Sequence, residues 1–398
     1  TLLTYVKLDY QGDDGSLTEL QSNLAYRDAD YSSYDIVQQT TSKHRDMDYE
    51  FGMNLLHSRS LTETNTLRAG VLYNHWIAPD GKRYYAGRSC NIHTLSGVIA
   101  SEQKAGKFLF DGGVRLISGY IVEWGGFGIE GSSAGFQNVE PLKDQVSPLE
   151  WQAVLGASYV ISGPASLHYN LSSGTIAPRR GSLNEEGIRP GLETRFQHDL
   201  GFRYRSQNRN EMMISTFYNK RRDAIELSGE TITNEDGYIV ELYENTDKRS
   251  YGLELTTELN VPNLHSFLFA NATLMKTENE INGNIEKDER IPNMILNLGI
   301  KFDYSGFDAN LYVNYTGPYV NNRFVKQTWI AENGDFPLGD FVVFDFTAGY
   351  AFGKRTSTRI FVEVKNLLDQ NYMTVAGYPD YGRLFMAGIK ITVGQQNK

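Results

Sequence analysis

Cysteine is almost missing from the 398 residues: Cys90 stands alone, so no disulfide closes within the chain and cysteine says little about compartment. Long apolar runs are missing as well. Nothing approaches the roughly eighteen residues that a membrane helix needs, so the chain has no helical span. Positive charge is in deficit, with 38 Lys and Arg against 48 Asp and Glu. The net charge of -10 argues against non-specific nucleic-acid binding but leaves room for a cationic or metal-chelate ligand. The opening TLLTYVKLDYQ lacks the basic start and apolar stretch of a signal peptide, so the chain is expected to be mature, trimmed or a fragment. No shift in composition marks a domain boundary. Aromatic side chains, by contrast, are plentiful. There are 25 Tyr and 20 Phe, yet the mean hydropathy is -0.42, a pairing that suits strands apolar on one side only.

The aromatic and apolar residues recur with a period of two. In FDANLYVNYT, Phe307, Ala309, Leu311, Val313 and Tyr315 alternate with Asp308, Asn310, Asn314 and Thr316. In FVVFDFTAGYAF, Val342, Phe344, Phe346, Ala348, Tyr350 and Phe352 oppose Asp345, Thr347 and Gly349. Leu192, Phe196, Leu200, Phe202 and Tyr204 oppose Glu193, Arg195, Gln197, Asp199, Arg203 and Arg205. Near the end, Phe385, Ala387, Ile389, Ile391 and Val393 oppose Lys390 and Thr392. Successive side chains of a strand point to opposite faces, so each segment separates a greasy medium from a wet one. A face carrying three Arg, a Glu and an Asp must be wet.

The links between these segments alternate in length. GDDGS, QKAG, SGPA, QNRN, VPNL, YSG and GKRT are short. The others are long, at about 27 to 46, 77 to 91, 119 to 147, 175 to 191, 227 to 237, 278 to 290, 318 to 339 and 368 to 381. A soluble sandwich has no reason to keep such an asymmetry, whereas an outer-membrane barrel has short periplasmic turns and long extracellular loops. The pattern therefore predicts an all-β, transmembrane, antiparallel up-and-down β-barrel of about 17 strands, running from near Leu2 to near Val393. An odd count sits badly with barrels that close on an even number, and parity places the missing part at the N-terminal side.

The stretch GTIAPRRGSLNEEGIRPGLETRFQHDLGFRYR, followed by MMISTFYNKRRDAIEL and ELYENTDKRSYGLELTTEL, resembles the second half of TonB-dependent outer-membrane receptors. The ending IFVEVKNLLDQNYMTVAGYPDYGRLFMAGIKITV is similar to that family's C-terminal signature. These matches run in order from about Trp151 to Val393, and the first 150 residues match in style only. The resemblance implies about 22 strands around a plug domain. On that basis residues 1–398 are expected to be an N-terminally truncated barrel domain with the plug and signal peptide absent. It further implies a multi-pass protein of a Gram-negative outer membrane that takes up a scarce, large solute. A ferric siderophore ranks first, with haem, cobalamin or a glycan as alternatives. Because an outer membrane offers neither ion gradient nor nucleotide, energy would come from the TonB-ExbB-ExbD complex through the missing N-terminal part, by strand addition.

The loops suggest where a ligand would bind. PRRG (Arg179, Arg180), Tyr319 with VNNRFVKQTW (Arg323, Lys326, Trp329) and GKRYYAGR (Lys82, Arg83, Tyr84, Tyr85) mix cations with aromatic rings, which suits an anionic iron chelate. We take Arg179, Arg180, Tyr319, Arg323, Lys326 and Trp329 as candidate ligand residues, against the plainer reading of surface and interface-belt side chains. Ala177 to Gly191 contains no His, which lowers haem. No catalytic group, cofactor or metal site is assigned. Gly126 to Gly131 spells a dinucleotide fingerprint and Gly131 to Gly135 a nucleophile elbow, both in a long loop without the required helix. Cys90 and His93 have ligand spacing but no second pair. DADYSSYD and EKDE could hold calcium, although a solvated loop explains them as well. A passive porin-like channel is the main rival. An outer-membrane hydrolase is remoter, since His198, outward by parity, has no evident Ser partner.

Overall fold

In the computed structural model, all residues are described except 36–38, 80–88, 125–141, 178–190, 207–209, 234–238, 282, 322–335, 354–355, 376–377 and 394–398. The first strands are β1 (Leu2–Gln11), β2 (Leu17–Asp35), β3 (Thr40–Thr62), β4 (Asn65–Ala78), β5 (Cys90–Ala105), β6 (Phe108–Trp124), β7 (Leu142–Val146) and β8 (Glu150–Ser162). Then follow β9 (Ala165–Ile176), β10 (Glu193–Arg205), β11 (Glu211–Thr233), β12 (Ile239–Val261), β13 (Ser266–Ile281), β14 (Asn284–Lys287), β15 (Met294–Tyr304) and β16 (Phe307–Thr316). The last are β17 (Tyr319–Asn321), β18 (Phe336–Leu338), β19 (Phe341–Phe352), β20 (Thr356–Lys365), β21 (Met373–Val375), β22 (Tyr378–Pro379) and β23 (Leu384–Val393). Nineteen of them belong to one sheet, and two small hairpins, β17–β18 and β21–β22, stand apart. Of the nineteen, β7 and β14 are short, which leaves the seventeen long strands that the alternation predicts.

The chain divides into two compact units. One comprises residues 1–158, 170–197 and 220–247, the other residues 159–169, 198–219 and 248–398. In the first, β1 to β6 pair antiparallel in sequence order, with β7 on β6. In the second, β13, β15, β16, β19, β20 and β23 do the same. Among the described residues β1 has a ladder to β2 alone and β23 to β20 alone, so the sheet is up-and-down and not closed. Short turns have the chemistry such hairpins need. Between β15 and β16, Ser305 and Gly306 both take positive φ, 52° and 85°, the conformation that matches the twist of the flanking strands.

Register turns the alternation into two continuous faces. Ile300, Leu311, Phe346, Val364 and Phe385 lie opposite one another across five strands, and Tyr304, Phe307, Tyr350, Ile360 and Ile389 form a parallel row. These rows are uncovered by protein: Phe385 is 67% exposed, Ile389 66% and Ile360 50%. Apolar surface on that scale belongs against lipid rather than water. On the reverse face Asn310 lies opposite Lys301 and Thr347, and Thr347 lies opposite Glu363. Arg359 reaches Asp308 with Nε at 2.8 Å and Nη2 at 2.5 Å. Its path crosses Gly349, where a Cβ would sit 2.6 Å from Nε, so a larger residue there would push the guanidinium aside.

The long connections differ from expectation. The segment assigned to a loop at 27 to 46 is mostly ladder, because β2 and β3 stay paired from Arg27↔Asp48 to Asp35↔Thr40. The other loop at 227 to 237 is shortened likewise by β11 and β12. Those at 278 to 290, 318 to 339 and 368 to 381 contain β14, β17–β18 and β21–β22. Beyond the apolar rows a strand needs no greasy face, so ribbons polar on both sides read as loops. Bidentate pairs such as Arg27 on Asp48, at 2.9 and 3.2 Å, hold such a ribbon instead.

The facing predicts a sharp asymmetry between neighbours. Leu311→Arg should lower the folding free energy in liposomes by about 2 to 4 kcal/mol, and Asn314→Arg by much less. Urea titration of both variants measures the difference, and equal costs would contradict the assignment.

Candidate functional site

The side chains able to do chemistry collect on the wet face and in the loop-end connections. In the first unit, Glu193 opens β10 and is 2% exposed. Arg221 of β11 grips it with Nε and Nη2, both at 2.8 Å, Arg195 donates to it from two residues away, and Arg221 Nη1 reaches Glu226 at 2.8 Å. A buried carboxylate with two guanidiniums is anchored rather than free for ligand, so Glu193, which lies in the stretch resembling the receptor family, has a structural job. Arg195 faces the wet side as its parity predicts. In the second unit, Arg203 does so too, with Nη2 2.5 Å from Glu211.

The second unit has a further anchor that sequence reasoning missed. Asp288 follows β14 and its side chain is 1% exposed. Lys248 of β12 lies 2.5 Å away, Arg290 Nε 2.9 Å and Arg290 Nη2 3.1 Å. Burial pushes the Asp288 carboxyl up, but hydrogen bonds from Arg290 and Lys248 outweigh it and hold the pKa at about 2. The Asp288 N–H donates to Thr277 O at 2.8 Å, and Glu289 O accepts the Val320 N–H at 2.9 Å. The EKDE segment is thus a clamp between β13 and β17, its buried carboxylate already met by two cations instead of awaiting calcium. Its partner Lys248 lies forty residues upstream, which no local pattern announces.

Of the six candidate ligand residues, only Tyr319 lies among the described residues. It pairs with Leu338 in the β17–β18 hairpin, and its hydroxyl donates to Thr374 O at 2.8 Å. Burial and then the nearby Asp380 raise its pKa. Arg179, Arg180, Arg323, Lys326 and Trp329 lie outside the described residues, as do the segments 126–131 and 131–135 and the GKRYYAGR stretch.

Two other sequence features receive a physical reading. Cys90 is fully buried against Ala78 and Trp76. His93 instead stacks on His75, centroids 3.9 Å apart, and hydrogen-bonds Tyr73 at 2.7 Å, so the two do not form a ligand pair. Among the described residues no three His, Cys, Asp or Glu come together as a metal group. The Asn-Leu-Leu-Asp signature is a cage for a turn. Asn366, at φ 50° and 3% exposed, accepts the Gln370 N–H at 2.8 Å and donates to Gln370 O and Tyr381 O at 2.9 and 3.2 Å. Asp369 accepts the Arg383 N–H at 2.7 Å, which ties the turn to the start of the last strand. His198 hydrogen-bonds Tyr169 at 2.6 Å, as a belt residue would.

The Asp288 clamp makes a prediction with a definite sign. Its folded pKa is depressed, so its stabilisation is full above the ordinary carboxylate value near 4 and fades as pH falls toward about 2. Asp288→Asn should remove that acid sensitivity and cost about 3 kcal/mol at neutral pH by taking the carboxylate charge away from Lys248 and Arg290. Denaturant unfolding of wild type and variant between pH 2 and pH 7 measures both, and parallel curves would contradict the clamp.

Comparison with known proteins places this geometry. The chain superposes on a ferric citrate transporter, FecA, with a TM-score of 0.71 at 16% identity, over 98% of this chain and 61% of that one. A copper transporter, OprC, gives 0.71 at 15%, over 94% and 62%. The siderophore receptor PirA from Acinetobacter baumannii gives 0.68 at 15%, over 97% and 61%. The chain therefore spans about six tenths of the length of these structures, and at such identities they speak for the fold. The family described as TonB dependent receptor-like, beta-barrel matches residues 1–367. The first 150 residues, similar in style alone, fall inside that match, while most of the C-terminal signature lies beyond it. With most of its length matched, the chain belongs to the TonB-dependent receptor-like β-barrel family.

Proposed function

We propose that this chain forms the wall of an outer-membrane receptor that imports a scarce, large solute with energy delivered by TonB and its ExbB-ExbD partners. The observation that carries the reading is the family match over residues 1–367, joined to a sheet with one uncovered apolar face and one charged face. In lipid the outer edges of β1 and β23 need hydrogen-bond partners, because each unmet backbone group there costs several kcal/mol.

A ferric siderophore fits best as the solute. Arg179, Arg180, Arg323 and Lys326 would draw in an anionic chelate, and Tyr319 and Trp329 would hold its aromatic donors. The names of similar structures include a ferric citrate transporter, a siderophore receptor and a copper transporter, so iron chelates are well represented but not exclusive. Haem, cobalamin or a glycan, or passive diffusion, are the readings the test separates. In none of them does the chain act as an enzyme.

Binding of a ferric siderophore panel to the whole receptor decides the matter. Wild type should bind at least one chelate, more weakly as salt rises, and Arg179→Ala with Arg180→Ala should lower affinity by about tenfold, equivalent to 1.4 kcal/mol. Trp329→Ala should weaken binding with little change in salt dependence. Salt-insensitive binding of cobalamin or a glycan alone would overturn the siderophore assignment, and free leakage of small solutes would favour a passive channel.

A further inference from the structure

The apolar face of the first unit is not uniformly filled. Leu55, Val71, Gly97 and Leu116 lie opposite one another in one row across β3 to β6, and His57, Ala69, Ile99 and Val114 form the next row toward the short-turn end. Gly97 interrupts the first row, and a Cβ built there would meet nothing within 4 Å. The result is a dent of about 500 Å³ walled by Leu55, Val71, Ile99, Val114 and Leu116. Its walls are exposed, Ile99 at 52% and Val71 at 51%.

The edge of the dent changes character toward the short turns. His57 lines that edge and is held by Thr18, Oγ1 to Nδ1 at 2.9 Å. Two residues further along the same face stands Arg59, 55% exposed, with Nε 3.3 Å from Asp14. On the neighbouring strands Leu67 and Ser101 share the level of Arg59, and the pair Asn65 and Gln103 stands one row nearer the turns. A guanidinium has five donors, so one contact to an exposed carboxylate leaves most of its fork available to phosphate. An apolar hollow below a rim of Arg, His, Asn and Gln has the polarity profile of a single phospholipid.

We propose that this dent binds one phospholipid of the leaflet on the short-turn side, with an acyl chain over Gly97 and the phosphate at Arg59. The proposal rests on the reading of this face as lipid-facing. The occupant is lipid rather than protein because the hollow continues an apolar surface that the bilayer already covers, and because its rim presents the guanidinium of Arg59 and neighbouring hydrogen-bond donors where a headgroup phosphate would sit. A bound lipid here would fill the packing defect left by Gly97 and Ala69, which bulk lipid fills only transiently.

Native mass spectrometry of the intact receptor, released from bilayers containing phosphatidylethanolamine and phosphatidylglycerol, tests it. Wild type should retain one phospholipid through detergent exchange. Gly97→Leu, which fills the dent, should lower the retained fraction at least tenfold, Ala69→Leu should do so from the adjoining strand, and Arg59→Gln should lower it less. Heat-modifiable gel migration reports which variants are folded. Unchanged retention in either folded filled variant overturns the proposal, as does a dimer that Gly97→Leu disrupts in place of a bound lipid. A nitroxide at Val114 separates the two levels of failure. If it is accessible to oxygen but no lipid is retained, only the site is wrong; if it is accessible to an aqueous quencher, the lipid-facing reading fails with it.

Discussion

In a bilayer every backbone N–H and C=O must find its partner within the protein, and this requirement shapes the rest of the molecule. A strand meets it through its neighbours alone, so the chain is built almost wholly of antiparallel ladders joined in sequence order. Once the backbone is satisfied sideways, the side chains are free to differ on the two faces. Row by row they do, with Ile300, Leu311 and Phe346 on one side and Lys301, Asn310 and Thr347 on the other. The apolar rows need no protein covering, and the polar rows can carry charge without a dry core around it.

Where the apolar rows end, ion pairs take over the work of holding the chain. Arg27 on Asp48 fastens the β2–β3 ribbon, Arg221 on Glu193 the top of β10, and Lys248 with Arg290 on Asp288 the segment between β13 and β17. Each pairs residues from different strands or connections, so each fixes a direction of exit for a loop rather than adding to a core. The difference between short turns and long connections then acquires a mechanical meaning: within each unit tight hairpins join some strands, and ion pairs brace described parts of the longer connections.

The parts legible in the sequence are those where one face is forced to be greasy. Phe307 to Thr316 and Phe341 to Phe352 could be placed, faced and paired because a slip of one residue would turn every side chain to the wrong medium. Legibility fails beyond the membrane. The ribbon from Arg27 to Asp35 is polar on both faces and reads as loop, although its ladder is unbroken. The anchors were half visible. Glu193 is legible as one polar residue of an alternating strand, but its grip by Arg221 depends on strand register, and Asp288 reads as one acid in an acidic loop because only the fold brings Lys248 to it. Asn366 lies within the C-terminal signature, which gives no reason for it, and the reason is a turn at positive φ caged by its side chain.

The central claim is that the period of two separates lipid from water. Cys90 is the one thiol of these 398 residues and is fully buried, so single cysteines introduced in the exposed rows can be told apart from it. The direct measurement is nitroxide accessibility along Phe307 to Thr316 of the receptor in bilayers, comparing oxygen, which enters lipid, with an aqueous nickel chelate. The account predicts oxygen access at 307, 311 and 313 and chelate access at 308, 310 and 314, in alternation. Equal access of one quencher to both sets would contradict it.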